Sequence, residues 1–299
     1  METLNYFKKK IQYCGVKSLL VIFIIFIFLY KAQGQNSDVS GSVFKGGSYE
    51  QTFTTSRIGV AQSVMTTPEG EFHVVIQHRF GDINGGAYEL FGLDAALTRI
   101  GFDYGISKWL SCGIGRSLFE KTYDFELKAS MLKQNESNIP VSLSYYVSVL
   151  DNTSKNYFPE GHNSFSSRLS FVNQLIVARN QGILSFQVSP LWLHSIYEVR
   201  TAGSLDIFAI DLDGRIRLSE KIGLIAEYIP ILTNEYFTKT NPLTLGLDIN
   251  TGGHQFQLIF SNSYGTNEKA ITTNTVGSWS KGHVYFGFNL TRIFHSKMK

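Results

Sequence analysis

The chain has 299 residues, 14% of them aromatic, with 27 lysines and arginines against 24 aspartates and glutamates for a formal net charge of +3. Residues 1–34 hold five of those lysines and one glutamate, so the rest of the chain stands near −1 and composition gives no support for nucleic-acid binding. With Cys14 in that leading segment, Cys112 is left alone, which excludes an intrachain disulfide framework and a Cys-based zinc site.

Lys8, Lys9, Lys10 and Lys17 precede an unbroken apolar run, LLVIFIIFIFLY, from Leu19 to Tyr30. Ala32 and Gly34 then stand at the −3 and −1 positions of a cut before Gln35. Charged lead, apolar core and small-residue cut predict a cleaved secretory signal peptide over 1–34. The run is shorter than the roughly 20 apolar residues of a spanning helix. Cys14 lies ahead of it rather than at the cut, which argues against a lipoprotein anchor. Residues 35–70 begin as a polar lead, QNSDVSGSVFKGGSYEQTF, and continue as SRIGVAQSVMTTPEG. They are expected to form a periplasmic segment or a plug entering a lumen built by the rest of the chain, with an additional strand as a third option.

From Phe72 onward the chain reads as twelve alternating segments, near 72–80, 96–106, 108–118, 121–132, 139–150, 164–178, 182–194, 206–218, 221–231, 242–250, 253–262 and 282–294. Most match the roughly 9–11 residues of a transmembrane strand. In the fourth, Tyr123, Phe125, Leu127, Ala129 and Met131 oppose Thr122, Asp124, Glu126, Lys128 and Ser130. In the eighth, Phe208, Ile210, Leu212 and Ile216 oppose Asp211, Asp213, Arg215 and Arg217. The stretch PLTLGLDINTGGHQFQLIF, from Pro242 to Phe260, reads as a hairpin whose leucines and phenylalanines share one face. Large apolar faces sustained over so many strands are unusual for a soluble sandwich. They suit a closed barrel with lipid outside and a polar lumen within. The predicted fold is therefore all-β, an antiparallel transmembrane β-barrel of about twelve strands over 71–299 with periplasmic termini.

Connections agree. Short turns come after the second, sixth, eighth and tenth segments, while long polar loops at 81–95, 151–163, 195–205, 232–241 and 263–281 mostly come after odd ones. Barrels alternate periplasmic turns and extracellular loops in this way. The short connection near Phe119 and Glu120 breaks the parity once. Tyr104, Phe72 and Phe294 fall at the periplasmic ends of strands, and Trp192, Tyr228, Tyr123 and Phe80 at the outer ends, as aromatic girdles do. The loop from Ser263 to Lys281 is the longest extracellular candidate, able to gate a pore or bind a partner, and Trp279 suggests that part of it packs.

The segment HRFGDINGGAYELFGLDAALTRIGFDYGISKWLSCGIGRSLFEKTYDFELKASML, with PVSLSYY, RLSFVNQLIVAR and SNSYGTNEKAITTNTVGSWSKGHVYFGFNLTRIF, resembles a family of Bacteroidota barrels known as domain of unknown function 5777. The resemblance spans about 55–294, and the spacing of HRFG, NGGAYELFGLD and GIGRS is specific. It implies an outer-membrane β-barrel of a Gram-negative envelope and brings no catalytic or binding residue with it.

By parity the lumen should be lined by Arg79, Arg99, Asp103, Asp124, Glu126, Lys128, Arg168, Asp211, Asp213, Arg215, Arg217, Glu227 and Asp248. Six basic and seven acidic residues make a mixed interior, whereas a strongly selective pore favours one sign. Such a set suits internal ion pairs, with a route for polar solutes as the sharper reading. For Asp211, Asp213, Arg215 and Arg217, cross-strand pairing with Glu227 and Asp248 is expected. Chemistry is not signalled. His78 is on the lipid face beside Thr98 with no outward serine, and the seven histidines show no metal-ligand spacing. Gly113 and Gly115 in CGIGRS lie inside a strand, where they make room for interior side chains. No cofactor, metal or enzymatic activity is expected. The expected reading is an outer-membrane barrel, either a narrow channel or binding barrel for small polar solutes, or a non-conducting barrel of an envelope complex. A lipid-modifying enzyme is a distant third. Expected partners are outer-membrane lipid and lipopolysaccharide, with small solutes or envelope proteins as candidate ligands. Arg116 near the outer rim and Arg292 near the inner one could reach phosphates or snorkel.

Overall fold

The computed structural model describes residues 52–295 apart from 135–138, 156 and 234–239. The predicted signal peptide and the lead up to residue 51 lie outside the described residues. Two short strands, β1 (Arg57–Ile58) and β2 (Ala61–Gln62), form a hairpin. Twelve longer strands come next: β3 (Glu71–Asp82), β4 (Ala96–Gly105), β5 (Leu110–Ser117), β6 (Tyr123–Leu132), β7 (Ser142–Asp151) and β8 (Leu169–Gln181). The set continues with β9 (Leu184–Glu198), β10 (Gly203–Arg217), β11 (Ile222–Tyr228), β12 (Leu243–Asn250), β13 (His254–Ser261) and β14 (Tyr285–His295). Each pairs antiparallel with its sequence neighbour, and β14 pairs back onto β3, closing a twelve-stranded barrel with no open edge. The twelve alternating segments of the sequence are these twelve strands.

The alternation becomes the two faces of the wall. In β12, Leu245 is 44% exposed and Asp248 is 1% exposed, and Leu245 stands beside Phe260 of β13. Outward residues form an apolar belt, Ile100, Phe102, Phe125, Phe208, Leu224 and Leu258 among them. Rings cluster toward its edges: Phe72 stacks on Phe102 at 5.8 Å and lies 6.3 Å from Phe294, while Trp192 stacks on Phe208 at 6.4 Å. No helix among the described residues is long and apolar enough to cross a membrane, so any crossing is by strands. Because the strand number is even, chain entry and exit fall at one end, where Glu71 opposes His295. The turns at 106–109, 182–183, 218–221 and 251–253 share that end.

One connection departs from expectation, and the loop after β13 packs as Trp279 suggests. The long loop expected at 195–205 shrinks to 199–202, because β9 and β10 keep pairing through Leu205 with Ser195 and Asp206 with His194. A ladder needs no apolar face once it has left the hydrocarbon, so polar residues there do not mark a loop. The loop after β13 is not an extended tip. Residues 268–273 form a short helix, α1 (Glu268–Thr273), capped by the Asn267 side chain on the Ala270 amide and buried at every position.

Candidate functional site

The lumen is filled. Phe53, Ile58, Val60, Ala61 and Val64, all buried, pack against an apolar sector of the inner wall that includes Tyr146, Val172, Ile176, Leu191, Leu193, Ile207 and Ile225. Ile271 of α1 joins the same cluster. The inner face is therefore not polar throughout. Inward apolar positions of β7–β11 would be costly against water and instead meet the entering segment.

Polar wall residues hold the backbone of that segment. Lys128 donates from Nζ to the carbonyls of Ser56, Ser63 and Met65 at 2.8, 3.0 and 3.1 Å. Glu227 accepts from the amides of Val60 and Ala61 at 3.0 and 2.8 Å. Arg79 donates to the Gly59 carbonyl at 3.2 Å and to Asn289 Oδ1 at 2.9 Å. Gln187 accepts from the Val64 amide at 2.8 Å and donates to the Gln62 carbonyl at 2.8 Å. Buried backbone groups must find partners, and here the wall supplies them in place of a sheet.

Charges knit the same parts. Arg99 donates to Asp124 and Glu126, each at 2.9 Å, and Glu126 also pairs with Arg57 of the hairpin. Arg57 lies 3.7 Å from Glu268 of α1, whose carboxylate accepts from Gln62 at 3.1 Å. Arg215 donates to Asp248 at 2.7 Å, and Thr54 donates to the same Asp248 oxygen at 2.6 Å. Ser56 donates to Asp103 at 3.2 Å. A Cβ at Gly115 would collide with Arg99 and Asp124, so the small residue leaves room for this network.

Two expected lining residues stand elsewhere. Arg168 precedes β8 in a 3-10 turn at the long-loop rim, partly exposed and 3.1 Å from Asp151. Its parity is inward, but the strand starts one residue later. Arg217 ends β10 half-buried and donates to the Gly182 carbonyl at 3.0 Å, at the short-turn rim. Asp211, Asp213 and Glu227 are fully inside but take no arginine, so the pairing expected of this patch holds for Arg215 with Asp248 and not for them.

Sequence reasoning missed Arg57, Glu268 and Lys269. Lys269 reaches Glu120 of the β5–β6 connection at 3.5 Å and Glu198 at the end of β9 at 3.7 Å, and Arg200 bonds Glu198 at 3.0 Å and the Thr273 carbonyl at 3.1 Å. Tyr157 donates to Glu198 at 3.3 Å, and burial, then Glu120 and Glu198, pushes its hydroxyl above the ordinary range, keeping it a donor. Trp279 donates to the Leu243 carbonyl at 2.9 Å, which ties the far end of the loop to the rim. The available signals were Trp279 and Ile271 in a mostly polar loop.

A closed sheet with an apolar outer belt and a polar-and-apolar interior defines a membrane-bound β-barrel protein. The chain belongs to the family described as membrane bound beta barrel domain, DUF5777, which matches residues 53–294. No curated protein matches its sequence. Among solved structures it is similar to the NanC porin (7% identity, TM-score 0.48, covering 75% of this chain and 99% of that one). The KdgM porin (10%, 0.44, 74% and 99%) and the outer membrane protein Omp33 of Acinetobacter baumannii (9%, 0.38, 76% and 99%) are similar at the same level.

Proposed function

We propose that the protein is an outer-membrane barrel, exported by its signal peptide, that rests closed and serves as a non-conducting binding or interaction barrel. The carrying observation is that most of the charged wall groups available to guide a solute, Arg79, Arg99, Asp103, Glu126, Lys128, Arg215, Glu227 and Asp248 among them, are engaged with the segment at 52–65 or with one another. Lys128 alone spends three bonds on that backbone. In this reading the short-turn end is periplasmic, α1 seals the outer mouth, and outward Arg116, 5.4 Å from the Tyr123 ring, meets lipopolysaccharide phosphate. Planar-bilayer recording of the refolded full chain checks it. The full chain should give no steady conductance, and deletion of residues 52–69 should open one. Should the deletion fail to fold, Arg57→Ala with Lys128→Ala serves instead. Steady openings from the unaltered chain would sink the closed-barrel reading.

Gated passage of small polar solutes is the second reading. It is favoured by a cavity of about 280 Å³ at the short-turn mouth, bordered by Thr52, Met65, Thr66, Lys108, Ser130 and Ser142. Voltage-dependent opening of the full chain, abolished by filling that mouth with Ser142→Trp, would favour it over the closed barrel.

A further inference from the structure

On the inner wall, Asp213 of β10 and Glu227 of β11 are directly opposite each other in the ladder. Like charges at such a pair repel, and burial removes the water that would screen them. Asp211 lies two residues along the same face. All three side chains are buried, and one oxygen from each falls within 4.8 Å of the others. Among the described residues none of the three forms an ion pair with a cationic side chain. Asp248 on the same wall, by contrast, has Arg215 and Thr54 as donors.

The cluster also carries orphaned oxygens. No donor from outside the cluster reaches Asp211 or Oδ1 of Asp213, whose carboxyl groups stand within hydrogen-bond reach of each other, and the Thr244 hydroxyl lies beside Glu227. The other Asp213 oxygen accepts from Gln187 at 2.6 Å, and Oε1 of Glu227 holds the Val60 and Ala61 amides. A further group points to a ligand independently of the acids. Ser189 of β9 faces Asp211 across the ladder on the same inward side, is fully buried, and its hydroxyl has no hydrogen-bond partner.

We propose that Asp211, Asp213 and Glu227, with Ser189, form a binding site for a hard, oxygen-seeking divalent cation. All donors are hard oxygens, and no sulfur or imidazole is present to select a softer metal. Calcium–oxygen distances of about 2.3–2.6 Å let ligand oxygens stand up to about 5 Å apart, whereas magnesium's about 2.1 Å requires a tighter shell. The three carboxylate oxygens lie within 4.8 Å of one another, close enough for one ion to bridge them. Sequence spacing does not reveal the site, because its ligands come from three strands and its acids alternate with apolar lipid-facing residues. Glu227 holds the hairpin turn through its other oxygen, so the cation pins the entering segment to the wall.

The test uses the full chain refolded in detergent, stripped with a chelator and dialysed against calcium chloride. One calcium per chain is expected. Asp211→Asn with Asp213→Asn should weaken binding more than tenfold, Ser189→Ala severalfold, and Asp248→Asn should leave it unchanged. Chelation should lower the thermal midpoint of the unaltered protein and not that of the double variant. Folding of each variant is read from heat-modifiable gel mobility. Absence of saturable binding in the folded, unaltered protein overturns the site. So does a thermal midpoint raised by Asp211→Asn with no response to calcium, which would mean that shared protons relieve the repulsion. Neither outcome depends on conductance, so the closed-barrel reading stands or falls separately.

Discussion

Gly59 holds φ at 58° in the turn between β1 and β2, and a Cβ there would stand 2.7 Å from Glu227 Oε2. Two demands meet at one position: a left-handed backbone, and room for the carboxylate that grips the next two amides. Gly59→Ala violates both. The left-handed backbone alone costs roughly 1–2 kcal/mol for a residue with a Cβ. The expected result is faster amide exchange at Val60 and Ala61 with barrel exchange unchanged, measured by hydrogen–deuterium exchange on the refolded protein. Lys128 makes a comparable case by a different mechanism. Lys128→Met keeps much of the bulk but leaves the carbonyls of Ser56, Ser63 and Met65 without their donor. A buried polar group left unpaired costs about 1–3 kcal/mol, so the thermal midpoint should fall. Lys128→Arg should recover part of the loss if the charge is what matters.

At the scale of elements, α1 is too short to be stable alone, since isolated helices below about 12 residues are marginal in water. Its position depends on Lys269 with Glu120 and Glu198, and on Arg200 over its last turn. Ala270→Cys in a Cys112→Ser background should therefore resist a water-soluble maleimide, because Ala270 is fully buried. Adding Lys269→Ala should expose it, and unchanged protection would show that packing of Ile271 alone holds the loop. This element also marks the limit of what sequence alone reveals. Lipid imposes its alternation on every strand locally, so Phe208 against Asp211 or Leu245 against Asp248 is legible from neighbouring residues. The filling of the lumen obeys no such period. Arg57 meets Glu126 and Val60 meets Glu227, partners far apart in sequence. Strands of two residues, as in β1 and β2, are too short to alternate visibly. Polar loop residues such as Glu268 and Lys269 look solvated until a pocket of opposite charge is assembled around them. The acids at 211, 213 and 227 were legible as interior, whereas their lack of arginine partners was not.

At the scale of the molecule, strand number governs the interior. Eight strands leave a lumen that side chains can fill, sixteen leave an aqueous channel, and twelve fall between. Here the gap is closed by residues 52–69 and by the loop carrying α1, which makes the barrel a shell around a core of its own. Leu191, Leu193, Ile207 and Ile225 face inward and have Phe53, Ile58, Val60 and Val64 as company. Full burial of such a side chain contributes about 1.5–3 kcal/mol. Removing residues 52–69 therefore wets an apolar inner wall and deletes its bonds to Lys128 and Glu227 together. The sheet needs none of these contacts to close, because the strand pairing runs unbroken from β3 to β14. The deletion variant should keep its β-sheet circular dichroism at low temperature yet melt well below the full chain in the same detergent. An equal melting point would mean that the segment is cargo in a finished barrel. A lower one makes it part of the fold, so that any partner drawing it out must work against the stability of the whole wall.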